Sequence, residues 1–251
     1  MKPGQKSQPE TRGQDARAGI LAFGAHPDDI EFGCGGVIAR ETRAGRRVQF
    51  VICSRGEAAS HGSPAERVIE ANRSAALLDA KLEFVELDGD SHLQVCVAHA
   101  IKLAGIIRRA KPGVVLAPSL MQNQHPDHSR LGQIVRDACR LARYGGVKEL
   151  RRFPPHAIEQ LFYYAVTPEA EPSDITPVLI DVSAPDILRD WTVAMQAHAS
   201  QAASRNYVEL QLTRARLRGL RAGCGHAIAL FPNDPLVFDT LADAGRGARQ
   251  F

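Results

Sequence analysis

Four short apolar runs recur at nearly even spacing through the first half of the chain, and that recurrence restricts the fold more than any other feature. Ile20–Ala25, Val48–Cys53, Leu82–Leu87 and Val114–Ala117 begin about 28, 34 and 32 residues apart, the length of a strand, a crossover helix and the next strand. Each is too brief for a helix and mostly apolar, the pattern of a strand buried on both faces. Helical patterns lie between them at Gly36–Ala44, Pro64–Ala80 and Leu93–Ala110; Pro64 suits a first turn, and Lys111-Pro112-Gly113 stops the third. Alternating strands and helices predict an α/β fold with a Rossmann-like, mostly parallel sheet flanked by helices. From about residue 145 the texture changes: Ile158–Val166 and Val178–Val182 read as strands, 184–199 and 202–222 as helices. This part is expected to be a C-terminal extension that completes the sheet.

Residues 1–17 are polar and aperiodic and read as a flexible tail, leaving 18–251 as a single domain. No apolar run approaches the 18 or so residues of a membrane helix, and the start of the chain lacks the apolar core of a signal peptide. The expectation is a cytoplasmic chain with no membrane span. Its five cysteines are scattered and form no Cys-x-x-Cys pair, which argues against a disulfide framework or a zinc knuckle. With a net charge of +3 and no basic stripe interleaved with aromatics, nucleic acid is not an expected partner.

In open parallel sheets, ligands bind outside the carboxyl ends of the strands. The predicted strands are followed there by unusually ionisable segments: His26-Pro27-Asp28-Asp29-Ile30-Glu31, then Ser54-Arg55-Gly56-Glu57, then Asp88-Gly89-Asp90-Ser91-His92, then His125-Pro126-Asp127-His128. His26 and Asp29 are three apart, as are His125 and His128, so each pair can reach one point from a turn entering a helix. Imidazole with carboxylate suits zinc, and catalytic zinc sites keep three protein ligands and an open fourth position. Two His and one Asp would fill that role, Asp28 could be the base that deprotonates a water, and the remaining His could protonate a leaving amine. The plainer alternative is that Asp28 or Asp29 caps a helix beginning near Ile30 and that the His-Pro pairs are ordinary turns. Arg55 can grip a polar substrate or remain a solvated turn residue; Asp88, Asp90 and His92 stand open in the same way. Gly33-Cys34-Gly35-Gly36 lacks dinucleotide-loop spacing and reads as close helix–sheet packing. No Gly-x-Ser-x-Gly elbow supports a serine hydrolase.

Ala25-His26-Pro27-Asp28-Asp29, with His125-Pro126-Asp127-His128 about a hundred residues on, resembles the PIG-L/LmbE-like zinc-dependent N-deacetylase family. Ser54-Arg55-Gly56-Glu57, Asp88-Gly89 and Ala197-His198-Ala199-Ser200-Gln201 extend the likeness, which runs from about Ile20 to Leu230. The resemblance implies that His26, Asp29 and His128 bind zinc, or iron(II) on the same ligands, with Asp28 the general base and His125 the acid. It implies that Asp127 orients or tunes His125, and that Arg55 and Asp88 face the substrate. The implied reaction removes an N-acetyl group from an N-acetylglucosamine-type amino sugar or sugar conjugate, releasing acetate, in a chain that can form a homo-oligomer. Many relatives carry a glutamate near the C-terminus where this chain has His226-Ala227-Ile228-Ala229-Leu230; His226 either enters the pocket as a substitute or lies at the surface before a final strand. Rival readings are an amidase acting on a larger thiol-sugar conjugate, a non-catalytic Rossmann-like binding module, and a phosphoester hydrolase, which would want a second metal.

Overall fold

A computed structural model describes residues 18–122, 125–203 and 206–248, so the expected tail at 1–17 lies outside the described residues. The strands β1 (Ile20–Gly24), β2 (Val48–Ile52), β3 (Ala80–Phe84), β4 (Val114–Pro118), β5 (Gln160–Tyr164), β6 (Val178–Asp181) and β7 (Ala227–Pro232) form one sheet in the order β3-β2-β1-β4-β5-β7-β6. The first five are parallel to one another; β7 runs antiparallel to both β5 and β6. The mostly parallel sheet and its C-terminal completion are thus as expected. Every residue of β1 and β4 is buried, because both faces are covered, and near-uniform apolarity is what such strands need.

Helices α1 (Asp29–Arg43), α2 (Pro64–Leu77), α5 (Pro185–Gln196) and α7 (Tyr207–Ala222) cover one face, while α3 (Val97–Ala110) and α4 (Pro126–Arg143) cover the other; α6 (Ala199–Ala202) is a single turn between α5 and α7. α4 is absent from the helices read in the sequence, although Leu131, Ile134, Val135, Ala138 and Ala142 form a buried stripe at helical spacing. α1 starts seven residues before Gly36 and so takes in the glycine cluster. A Cβ on Gly33 would lie 2.1 Å from the Tyr164 ring and one on Gly35 2.7 Å from Trp191, so the helix buries glycine where the sheet and α5 approach. That closeness offsets the roughly 1 kcal/mol a helical glycine costs relative to alanine. α2 ends at Leu77 rather than Ala80 because Asp79 turns left-handed, with φ 50, and hands the chain to β3. That strand begins at Ala80, two residues earlier than its apolar run, since all five of its residues pair with β2 from Val48↔Ala80 to Ile52↔Phe84. Among the described residues no helix is long and apolar enough to cross a membrane.

Candidate metal centre

The segments after β1, β2, β3 and β4 converge at the carboxyl rim of the sheet. Asp29, the first residue of α1, is locked by its own loop: Oδ2 accepts hydrogen bonds from the Ala25 and His26 amides at 2.8 and 2.9 Å. Its other oxygen, Oδ1, is aimed at His128 Nε2, 2.9 Å away. His128 comes from the first turn of α4, which Pro126 opens and His125 caps. His26 Nδ1 lies 3.2 Å from His128 Nε2 and 3.5 Å from Asp29 Oδ2. With bonds of about 2.0–2.1 Å, ligand atoms around tetrahedral zinc sit roughly 3.3 Å apart; the two imidazole nitrogens are 3.2 Å apart, and one ligand atom from each of the three residues lies within 4.8 Å of the others. Two imidazole nitrogens and a carboxylate turned on one point are a donor set that fits zinc or iron(II). Two rings converging this closely on a single acid are better satisfied by a cation than by each other.

Charge reinforces the arrangement. Burial works against ionisation of Asp29, yet His128 and His26 hold its carboxyl well below the usual range. Burial likewise opposes protonation of His26, but Asp29, Asp127 and Asp90 raise it well above an ordinary histidine. Asp28, next to this group, behaves oppositely: burial, and then the charge of Asp29, push it up to about 6, against the pull of Arg67. Its backbone has φ 108, a left-handed conformation that costs a non-glycine residue of order 1–3 kcal/mol and is typical of sites where function dictates geometry. Arg67 holds the strained turn by donating to Pro27 O at 2.7 Å, Asp28 Oδ2 at 3.2 Å and Gly56 O at 3.3 Å.

His125 faces the donor set from the outer side, its ring centroid 4.5 Å from that of His26. Nδ1 accepts from the Asp127 amide, which leaves Nε2 to carry the proton towards Ser91 Oγ, 3.3 Å away. Burial and then the neighbouring His26 and His128 lower its pKa. The Asp127 carboxylate accepts from Ser91 N at 2.7 Å and lies nearer to His26 Nε2, at 3.5 Å, than to His125 Nδ1, at 4.0 Å.

The structure therefore brings His26, Asp28, Asp29, His125, Asp127 and His128 together. Arg55 and Asp88 stand apart from the cleft lining. Arg55 pairs with Glu86 and is half exposed; Asp88 accepts from Gln94 N and pairs with His99, tying down its own loop. His226 sits at the start of β7 in a separate groove with Thr192, Gln196 and Arg216, so it is the surface placement that the structure shows. Asp90 is buried in the site, where burial is overcome by His26, Ser91 and the Ala58 amide and its carboxyl is held low. Arg67 and the pairing of Glu31 with His198 escaped sequence reasoning. Arg67 is only 4% exposed, and its one local signal is that it shares a helix face with Ala71, Ser74 and Ala75 of α2. Glu31 pairs with His198 at 3.1 Å, both fully buried behind Asp28; only contact between α1 and the segment after α5 reveals it.

A cleft of about 440 Å³ opens over these groups, walled by Phe32, Val166, Tyr207 and Gln211, a size within the roughly 300–1,000 Å³ of small-molecule sites.

Comparison with known proteins agrees with this picture. Residues 21–139 match the PIG-L family, described as GlcNAc-PI de-N-acetylase. A diacetylchitobiose deacetylase of Thermococcus kodakarensis is 28% identical over 198 residues, covering 72% of this chain and 69% of its own. A 4-oxalmesaconate hydratase of Pseudomonas putida is 29% identical over 161 residues, 56% of this chain and 62% of its own. Among solved structures, the conserved protein TT1542 from Thermus thermophilus superimposes with a TM-score of 0.78 at 28% identity, covering 88% of this chain and 97% of that one. Residues 21–139, which carry every donor of the rim cluster, are thus similar to the PIG-L family.

Proposed function

We propose that the protein is a metal-dependent hydrolase that removes an N-acetyl group from an N-acetylglucosamine-type amino sugar or conjugate, releasing acetate. The observation that carries this reading is the convergence of His26, Asp29 and His128 on one point beside Asp28 and opposite His125. The family match and the deacetylase relative support the choice of bond. Zinc, or iron(II), bound by those three residues would polarise the amide carbonyl and bring the pKa of a water down towards about 7.

The remaining work falls to the chain's own side chains. Asp28, with a pKa of about 6, is ionised at neutral pH yet basic enough to take a proton from the attacking water, the compromise a general base needs. Arg67 keeps its carboxylate turned into the cleft. His125 carries its proton on Nε2, on the side open to substrate, where it can stabilise the developing negative charge, and the proton that Asp28 takes from the water is the one the departing nitrogen needs. Asp127, fixed by the Ser91 amide, keeps negative charge beside both His26 and His125. Phe32 and Tyr207, with ring centroids 5.7 Å apart, offer the apolar surface on which a sugar ring can rest. Arg55 and Asp88 meet the substrate only where it extends past the cleft.

A second reading comes from the hydratase relative, since the same water activation could serve addition to a carbon–carbon double bond. Charge favours the deacetylase. Asp28, Asp29 and Asp90 line the described cleft against one arginine, Arg67, which suits a neutral sugar leaving as an amine better than a polyanionic acid. The test is to incubate the zinc-loaded chain with N-acetylglucosamine conjugates and with unsaturated dicarboxylic acids. Acetate and free amine are expected from the first; loss of the enoate absorbance without acetate release would establish the hydratase instead.

A further inference from the structure

The far end of α4 carries a second group of charges, unrelated to the first. Arg136, Arg140 and Arg143 stand at i, i+4 and i+7, the spacing that puts side chains on one face of a helix. Together they line a groove of about 460 Å³ between α4, the start of β5 and the end of β7, shared with Ile158, Leu161 and Leu236. Arg136 lies ten residues past Pro126, about 15 Å along the helix axis from the turn that bears His125 and His128, and no groove residue belongs to the metal cleft.

Arg136 is half-buried, and its buried Nε has no hydrogen-bond partner. Buried polar atoms rarely go without one. The nearby acids leave the charge uncompensated. Asp234 accepts from Asn233 Nδ2 at 2.7 Å, and Glu159 lies against Gly113, where a Cβ would meet its Oε2 at 3.0 Å. Asp137 stands 3.7 Å from Arg140 as an exposed pair, and the Arg143 guanidinium lies over the Tyr144 ring, 5.2 Å from its centroid. Like charges at helical spacing repel, and a partly desolvated cation without a counter-charge is costly. An anion in the groove relieves both.

We propose that this groove binds a small organic phosphate. Phosphate suits it better than carboxylate, because a tetrahedral dianion accepts along several directions and can be reached by guanidinium forks spread over two helical turns, each forming charge-assisted and commonly bidentate bonds. The groove exceeds the size of a phosphate alone, and Ile158, Leu161 and Leu236 give the rest of the molecule an apolar wall. The site is independent of the metal centre and of the reaction proposed there.

The test is calorimetry on the full metal-loaded chain with phenyl phosphate, inorganic phosphate and benzoate as probes, on wild type, Arg136→Gln and the double variant Arg140→Gln, Arg143→Gln. One phenyl phosphate per wild-type chain is expected, bound more tightly than the other two probes and weakened by about tenfold or more in each variant, the loss of at least one charge-assisted bond. Arg136→Gln should also unfold in urea no earlier than wild type, because a half-buried charge without a partner has gone. An earlier midpoint would show that Arg136 serves the fold and would overturn the site. Binding unchanged in the variants would place the phosphate at the metal centre or on the open surface, and inorganic phosphate bound as tightly as phenyl phosphate would mean an adventitious ion only. Either result overturns the proposal, as does no binding at millimolar probe, and each leaves the hydrolase reading standing.

Discussion

The parallel strands β1–β4 and the β5–β7–β6 end of the same sheet contribute to the cleft in different ways. Every donor of the rim cluster follows β1, β3 or β4, within about ten residues of its end. Among the described residues the other end supplies no donor; it supplies walls. Val166 follows β5, Tyr207 and Gln211 come from α7, Tyr164 of β5 donates to Phe23 O at 2.7 Å, and Trp191 of α5 donates to Glu31 O at 2.8 Å. Burial heads the causes that raise Asp28, and Val166, Tyr207 and Gln211 of the far end wall the cleft that it lines. The reactive groups are thus local products of one half, and the charges that shift them, Asp29, Arg67, His26 and His128 among them, belong to that half too; the other adds His198 beside Asp28.

The largest effect is expected within the first half. His128→Ala removes one of the three donors that meet at a single point, and bound metal should fall from about one ion per chain to nearly none, taking activity with it; mass-spectrometric metal analysis on identically purified proteins checks this. Asp28→Asn should keep the metal and lose turnover by a factor of about 10²–10⁴; full activity on a productive substrate would rule out Asp28 as the base.

Across the divide, Trp191→Ala should cost about 3–5 kcal/mol in urea unfolding without touching a donor. If the packing of Trp191 on α1 also keeps water from Asp28, the substitution should shift the pH dependence of the folded enzyme. In the wild type, kcat/KM should rise as pH passes through about 6, because the base form of Asp28 exists only above its pKa. In the Trp191 variant, water reaching the site should move that midpoint down towards an ordinary carboxylate near 4. An unmoved midpoint would show that the far half stabilises the site without tuning it. The smallest effect belongs to Arg55→Ala, an exposed ion pair with Glu86 worth at most about 1 kcal/mol, with KM raised only for substrates long enough to leave the cleft.

Much of this was legible in the chain. Strand positions, the parallel order of the first half and the residues at the rim follow from local periodicity and from what stands immediately after each apolar run. The departures have physical causes. The α1 boundary was obscured by Gly33, Gly35 and Gly36, which weaken a helical pattern and pack only because Tyr164 and Trp191 lie against them. Asp88 and Arg55 carry the same local signal as Asp90, yet only Asp90 turns into the cleft while the others tie down loops.

The sequence by itself determined the repeating strand–helix unit, the chemical identity of the donors and their spacing of three within each motif, because these depend on neighbours along the chain. The tertiary structure alone decided which nitrogen of His26 faces which carboxylate, that Arg67 braces the strained turn at Asp28 from 39 positions away, and that a buried Glu31–His198 pair lies behind it. Burial and through-space charge are set by atoms distant in sequence, and they settle whether a carboxyl so placed is an ordinary acid or a base poised near neutrality.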